Sequence, residues 1–151
     1  MKKHVLIFTL LIFGLCSYAQ ESELNWLTDF ELAKQASKVQ GKPILMYFTG
    51  SDWCAPCKKL KADFFSSDKF AEKASDLVLL IIDLPRRSGI VTPAQKRKNM
   101  LLMQKYNRRG SFPGLVGLSS EGKVLKEMNG YNAERDTSKH FQFITDIVNQ
   151  N

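Results

Sequence analysis

The sequence lacks an apolar segment long enough to span a membrane. Its most apolar stretch, residues 5–15, is shorter than the roughly 20 residues that a membrane-spanning helix needs. Two lysines precede this stretch, and Ser17 and Ala19 place small residues at the positions that a signal peptidase reads. We therefore expect residues 1–19 to be a cleaved signal peptide. Residues 20–151 are then one exported domain, periplasmic or extracellular, without a permanent membrane span.

The sequence also has few residues that bind metals or haem. It contains three cysteines and two histidines, and only Cys54, Cys57 and His140 lie beyond the expected leader. A structural zinc site uses four ligands, which these residues cannot supply. Covalent haem attachment needs a histidine directly after the second cysteine, where this sequence has Lys58. We expect no metal and no cofactor, and we interpret His140 as a packing or surface residue.

Positive charge is in moderate excess and is not arranged for nucleic-acid binding. The formal net charge is +7, and loss of the two lysines in the leader, which has no acid, lowers it to +5. No basic run is interleaved with aromatic residues, which is the pattern typical of nucleic-acid binding. We therefore expect no nucleic-acid partner, and we interpret the basic clusters at 96–98 and 108–109 as solvated.

The cysteine pair that remains is unsuited to a structural role. A disulfide stabilises a fold more when it closes a longer loop, and Cys54 and Cys57 are only three residues apart. The pair therefore indicates chemistry rather than cross-linking.

The hydrophobic pattern predicts an α/β fold with a mixed central sheet flanked by helices. Strands are expected at 43–49, 77–84, 114–119 and 124–128, and helices at 28–39, from about 54, at 69–74, 94–106 and 134–149. The first two strands are continuous apolar runs, as in strands buried on both faces. Thr28 and Glu31 match a capping box for the first helix. Met100, Leu101 and Met103 are expected on the buried side of the fourth helix.

The motif Trp-Cys-Ala-Pro-Cys-Lys at 53–58 lies where a buried strand gives way to a helix. The positive end of a helix stabilises a thiolate, so the pKa of Cys54 should fall from about 8.5 towards about 7. Cys54 would then attack a disulfide of a partner. Cys57, deeper in the helix, would resolve the mixed disulfide.

The motif in this order of elements resembles the thioredoxin superfamily. Residues 48–54, Phe-Thr-Gly-Ser-Asp-Trp-Cys, are similar to exported bacterial thioredoxin-like proteins, and the resemblance extends over about 43–131. It implies a thioredoxin-like sandwich, with Cys54 as the attacking cysteine and Cys57 as the resolving one.

The resemblance also implies a substrate-binding surface. Pro113 would be the cis-proline that faces the active site, and Phe112 would offer backbone hydrogen bonds to an extended substrate. Trp53, beside the first cysteine, would form part of the same surface. Phe112 is larger than the Thr or Ile that usually precedes this proline, so substrate fit and redox tuning should differ.

A second departure concerns proton transfer. Thioredoxins bury an aspartate below the resolving cysteine and pair it with a lysine, whereas this sequence has Tyr47 and Phe48 near the first position and Leu79 near the second. Both charged residues are absent together, as expected because an aspartate or a lysine buried without its partner would be strongly destabilising. Proton transfer would fall to water, to Asp52 or to the substrate, and we interpret Asp52 as a surface loop acid.

These observations favour an exported thiol–disulfide oxidoreductase that reduces protein disulfides. The Ala-Pro dipeptide supports reduction, because it lacks the histidine of strongly oxidising relatives. Its partners would be protein disulfides and an upstream thiol donor, and we expect a monomer. The alternatives are a disulfide isomerase or oxidase, and a non-enzymatic binding module or Cu(I) carrier, since soft thiolates suit Cu(I).

Overall fold

A mixed five-stranded sheet organises residues 24–151, the part of the chain that the computed structural model describes. The strands are β1 (Trp26–Leu27), β2 (Ile44–Thr49), β3 (Val78–Asp83), β4 (Gly114–Leu118) and β5 (Val124–Asn129). Their order across the sheet is β1-β3-β2-β4-β5. β3 is parallel to β1 and β2, whereas β4 is antiparallel to both β2 and β5. The predicted α/β class with a mixed sheet is confirmed. The expected leader at 1–19 lies outside the described residues.

Helices cover both faces of the sheet. They are α1 (Phe30–Gln40), α2 (Ala55–Leu60), α3 (Asp68–Ala74), α4 (Pro93–Tyr106) and α5 (Ser138–Asn149), with a π-helical segment, Lys61–Phe65, between α2 and α3. One core lies under α2, the π-helical segment, α3 and α5. A second core lies under α1 and α4. Among residues 24–151, no helix has both the length and the apolar character that crossing a membrane requires.

The central strand β2 separates these two cores and leads into the cysteine motif. All six of its residues are buried, as its continuous apolar sequence predicts. Leu45 and Tyr47 face the core that contains the cysteines, and Ile44, Met46 and Phe48 face the other core.

The cap of the first helix is Asp29, one residue after the predicted cap Thr28. The Asp29 carboxylate, rather than the Thr28 hydroxyl, accepts hydrogen bonds from the N–H groups of Glu31 and Leu32, at 2.9 and 3.2 Å. The capping box predicted at Thr28 is therefore wrong, because Asp29 fills the same role one position further on.

The buried side of α4 also differs from the expectation. Met100 and Leu101 are 44% and 65% exposed, whereas Asn99 is 2% exposed. The Asn99 amide donates to the Asp83 carbonyl oxygen at 2.8 Å and accepts from Gln95. The face of α4 that carries Asn99 and Met103 therefore lies against the fold, whereas Met100 and Leu101 are exposed.

An aromatic cluster fills the core beneath the cysteine helix. Phe64 is fully buried, and its ring centroid lies 5.0, 4.9 and 4.8 Å from those of Phe65, Phe70 and Phe141. Trp26, from the short edge strand β1, packs edge-on against Phe65 at 5.2 Å. The two-residue strand β1 was not among the strands predicted from the sequence.

Candidate active site

Cys54 and Cys57 form a disulfide where β2 gives way to α2. Their sulfur atoms are 2.08 Å apart and their Cα atoms 5.3 Å apart. Cys54 caps α2, and its Sγ accepts a hydrogen bond from the N–H of Cys57 at 3.2 Å. Pro56 lies in the first turn, where its missing N–H costs no hydrogen bond. The pair therefore has the position that the sequence predicts.

This position favours a reactive thiolate once the disulfide is reduced. The free N–H groups at a helix start and the helix dipole lower the pKa of a cysteine at that end. Of the two cysteines, Cys54 is the one at that end, and its sulfur faces the Cys57 N–H. Both cysteines are only 2% exposed, so a partner must come into close contact with the surrounding surface to reach them.

Trp53 is held beside the disulfide by contacts on several sides. Its indole N–H donates to the Leu84 carbonyl oxygen at 2.9 Å. Its ring packs edge-on against Phe112, with centroids 5.1 Å apart, and the Arg86 guanidinium lies over it at 4.5 Å. A Cβ at Gly50 would lie 2.2 Å from the indole, so only glycine allows this ring position.

The Phe112–Pro113 peptide bond is cis, as the resemblance implies. The loop before it is held by the buried Asn107, whose amide donates to the Ser111 carbonyl oxygen at 2.8 Å and accepts from the Ser111 N–H at 3.0 Å. Phe112 packs against both Trp53 and the core that contains the two cysteines. The structure thus brings together the predicted site residues Trp53 and Phe112 beside the cysteine pair, with Pro113 next along the chain.

Asp52 is a loop acid rather than a base, as interpreted from the sequence, but its carboxylate is not free in solvent. Its side chain is only 5% exposed, and its carboxylate accepts hydrogen bonds from the backbone N–H groups of Arg86 and Arg87 at 3.0 and 2.9 Å. These bonds, the one from Arg87 foremost, hold the pKa of Asp52 below its usual value. Asp52 is therefore a structural link to the loop after β3 and a poor proton acceptor.

Tyr47 lies on the strand where thioredoxins bury an aspartate. Its hydroxyl donates to the Cys57 carbonyl oxygen at 3.3 Å. Burial raises the pKa of Tyr47 to about 12, so the phenol stays neutral at physiological pH. It supports the backbone of the resolving cysteine and carries no negative charge beneath it.

Asp83 is a site residue that the sequence analysis missed. It ends β3 opposite Thr49 of β2, and its carboxylate accepts from the Ser51 N–H at 2.9 Å and from the Ser51 hydroxyl at 2.6 Å. The sequence did contain a signal for Asp83, because it is an acid at the end of the predicted strand 77–84. Neighbouring parallel strands end at the same edge of a sheet, so this acid should lie near the residues that follow β2.

His140 lies away from the disulfide, between aromatic rings. It is 5% exposed, and neither ring nitrogen has a hydrogen-bond partner within the described chain. The rings of Phe64 and Tyr131 each lie 5.4 Å from it. Burial lowers the pKa of His140, although the nearby charge of Asp136 opposes this. His140 is a packing residue in its neutral form.

We expect this histidine to make the fold less stable in acid. The unfolded chain binds the proton with the ordinary pKa of about 6.5 and the folded chain binds it less readily, so stability falls as the pH drops below about 6.5. One such site contributes at most about 1.4 kcal/mol per pH unit. Urea unfolding at pH 7.5 and 5.5 should show a larger acid loss for the wild type than for His140→Leu. Equal losses would contradict this assignment.

Comparison with known proteins gives consistent results. The sequence profile of a family described as thioredoxin-like matches residues 25–113. The disulfide bond reductase DsbH of Chlamydia pneumoniae is 36% identical over 108 residues, which are 71% of this chain and 63% of that protein. The thiol:disulfide interchange protein DsbD of Campylobacter jejuni is 25% identical over 118 residues, which are 78% of this chain and 19% of that protein. The chain thus spans less than two thirds of the length of these relatives.

A solved structure supports the same relationship. The structure described as DsbH oxidoreductase superposes with a TM-score of 0.72 at 28% sequence identity, covering 86% of this chain and 88% of that one. The similarity therefore extends beyond the cysteine motif to most of the described fold.

Proposed function

This chain belongs to the thioredoxin-like family, and from that premise we propose that it is a thiol–disulfide oxidoreductase that reduces protein disulfides. The observation that carries the proposal is the Cys54–Cys57 disulfide at the start of α2, with the Cys57 N–H directed at the Cys54 sulfur. A relative at 36% identity named as a disulfide bond reductase supports the reducing direction.

The reaction proceeds through a mixed disulfide. The Cys54 thiolate attacks one sulfur of a substrate disulfide, forms a new S–S bond and releases the other sulfur as a thiolate. The Cys57 thiolate then attacks the Cys54 sulfur, which restores the intramolecular disulfide and releases the second substrate thiolate. Two electrons pass to the substrate, which ends as two thiols. A thiol donor returns the protein to its reduced form.

The Cys57 proton has few possible acceptors in this site. Asp52 is occupied by two backbone N–H groups, and the Tyr47 phenol is neutral and donates to a carbonyl. We therefore assign the proton to water or to the departing substrate thiolate. The site therefore differs from that of thioredoxins, in which a buried carboxylate takes up the proton of the resolving cysteine.

Substrate contact is assigned to Trp53, Phe112 and Pro113. The two aromatic rings meet beside the disulfide, and Pro113 directly precedes β4. We further propose that residues 1–19 direct export of the domain formed by residues 20–151, and that the exported protein is a monomer.

Reductase turnover and redox potential test the proposal. The purified protein with a thiol donor should accelerate insulin precipitation. The reduction potential of the Cys54–Cys57 pair should lie near that of thioredoxin (about −270 mV) and not near that of DsbA (about −120 mV). A potential close to the latter would assign it as an oxidase. Repair of scrambled disulfides without net reduction would assign it as an isomerase.

A Cu(I) carrier is the non-enzymatic alternative, because soft thiolates suit Cu(I). No Met or His lies close to Cys54 or Cys57 in sequence to complete such a site. Tight retention of Cu(I) without insulin turnover would nevertheless favour the carrier over the reductase.

A further inference from the structure

Three cationic side chains border the disulfide and form what we call the basic rim: Lys58, Arg86 and Arg87. The Lys58 ammonium donates to the Asp52 carbonyl oxygen at 3.2 Å. The Arg86 guanidinium lies 4.5 Å from the centre of the Trp53 ring, and the Arg87 Nε lies 3.6 Å from the Asp52 carboxylate. All three residues are exposed. Each is thus fixed against the short segment that leads into the first cysteine.

The acids of this region do not cancel the charge that the rim presents to solvent. Asp52 has a side chain only 5% exposed, and two backbone N–H groups occupy its carboxylate. Asp83 is half-buried and directed at Ser51. Within residues 24–151, neither Lys58 nor Arg86 has a carboxylate within 4.0 Å. The accessible charge beside the disulfide is therefore positive.

The rim adjoins an apolar surface. Trp53 and Phe112 meet edge-on at 5.1 Å, and the guanidinium of Arg86 covers the same indole ring. A chain segment that places a disulfide over these rings also passes close to the rim. Guanidinium groups bind carboxylates through paired, charge-assisted hydrogen bonds, so the rim complements aspartate and glutamate.

We propose that the preferred substrates are polypeptides whose disulfide is flanked by acidic residues, which the basic rim binds. This inference rests on the proposed reductase function and specifies its substrate class. Attraction between the rim and an acidic segment accelerates association, and salt screens that attraction within about 10 Å at 0.1 M ionic strength. The preference acts on substrate capture and leaves the exchange between Cys54 and Cys57 unchanged.

Three disulfide peptides that differ only in their flanks test this inference. One carries three Glu, one three Gln and one three Lys, and the pre-reduced protein is mixed with each in single turnovers. We expect the Glu peptide to react about ten times faster than the Lys peptide at low ionic strength, and the ratio to approach one at high salt. Equal rates for the Glu and Lys peptides at low salt, with the Gln peptide reduced, would overturn the inference.

Variants assign the preference to the rim. The triple variant K58Q/R86Q/R87Q should lose most of the Glu-over-Lys ratio, mainly because it reacts more slowly with the Glu peptide at low ionic strength. The matched variant K38Q/K73Q/R97Q removes three exposed cations from other helices and should keep the ratio. The variant R86K/R87K keeps both positive charges and should also keep the Glu-over-Lys ratio. It thus distinguishes the effect of lost charge from the effect of a disturbed Trp53.

The remaining outcomes are equally informative. A ratio that survives in the K58Q/R86Q/R87Q variant would overturn the assignment to the rim. An equal slowing of all three peptides in that variant would show that the cations act on the Cys54 thiolate and would overturn substrate recognition. If the protein reduces none of the peptides and does not reduce insulin, the proposed function itself fails.

Discussion

Replacing Cys57 by serine should produce a protein that attacks substrate disulfides but cannot release them. Cys54 keeps its place at the helix start, where the N–H of residue 57 and the helix dipole stabilise its thiolate. The second thiolate attack is impossible, so the mixed disulfide accumulates. Insulin turnover should fall by at least about 100-fold, because the loss of a covalent step removes the catalytic cycle. Non-reducing electrophoresis and mass spectrometry should detect the trapped adduct.

The matched variant Cys54→Ser separates the two roles. It leaves a buried thiol at position 57 and removes the thiol at the helix cap, so turnover and adduct should both be absent. Adducts formed equally by both variants would remove the assignment of Cys54 as the attacking residue, and adducts formed by Cys54→Ser alone would reverse it. Cys54→Ala and Cys57→Ala variants that match the wild type in insulin reduction would exclude the oxidoreductase function.

Replacing Phe64 by alanine should be the most destabilising of the single changes considered for this fold. Phe64 is fully buried and packs against Phe65, Phe70 and Phe141 with centroid distances of 4.8–5.0 Å. Truncation of a core phenylalanine costs about 3–5 kcal/mol, because it removes buried apolar surface and leaves a cavity. Urea unfolding of the oxidised protein should show this loss in the free energy of unfolding.

An exposed apolar residue provides the control for Phe64. Leu101 is 65% exposed on α4, so Leu101→Ala should change the free energy of unfolding by no more than about 0.5 kcal/mol. A loss below about 1 kcal/mol for Phe64→Ala would mean that the aromatic cluster does not carry the stability of this core. A large loss for Leu101→Ala would instead favour the sequence-based placement of that residue in the core.

The strands and the position of the cysteine pair could be predicted because their signals are local and strong. A strand buried on both faces needs a continuous apolar run, and the runs that form β2 and β3 are short, apolar up to the terminal Thr49 and Asp83, and rich in strand-forming residues. Pro56 is favoured in the first turn of a helix, which places the helix start at Cys54. The cis bond before Pro113 followed from the family resemblance and from no local pattern.

Other features depend on contacts between distant parts of the chain. Asp52 looks like any polar loop residue in sequence, and its burial depends on two N–H groups 34 and 35 residues away. The buried side of α4 includes Asn99, whose partner is a carbonyl oxygen at the end of β3. A two-residue strand such as Trp26–Leu27 has no periodicity to detect. Contacts of this kind cannot be predicted from local sequence, because the fold of the sheet determines which distant residues meet.

The hydrogen bonds of residues 50–53 limit how this motif can be transferred to another scaffold. Ser51 binds Asp83, Asp52 binds Arg86 and Arg87, and the Trp53 indole binds the Leu84 carbonyl oxygen. The six-residue motif at 53–58 is therefore one of two segments that form the site, and the second is 83–87. A graft of residues 53–58 alone would carry the reactive sulfurs without the segment at 83–87 that positions them. In protein engineering the two segments should be moved together, as one cassette.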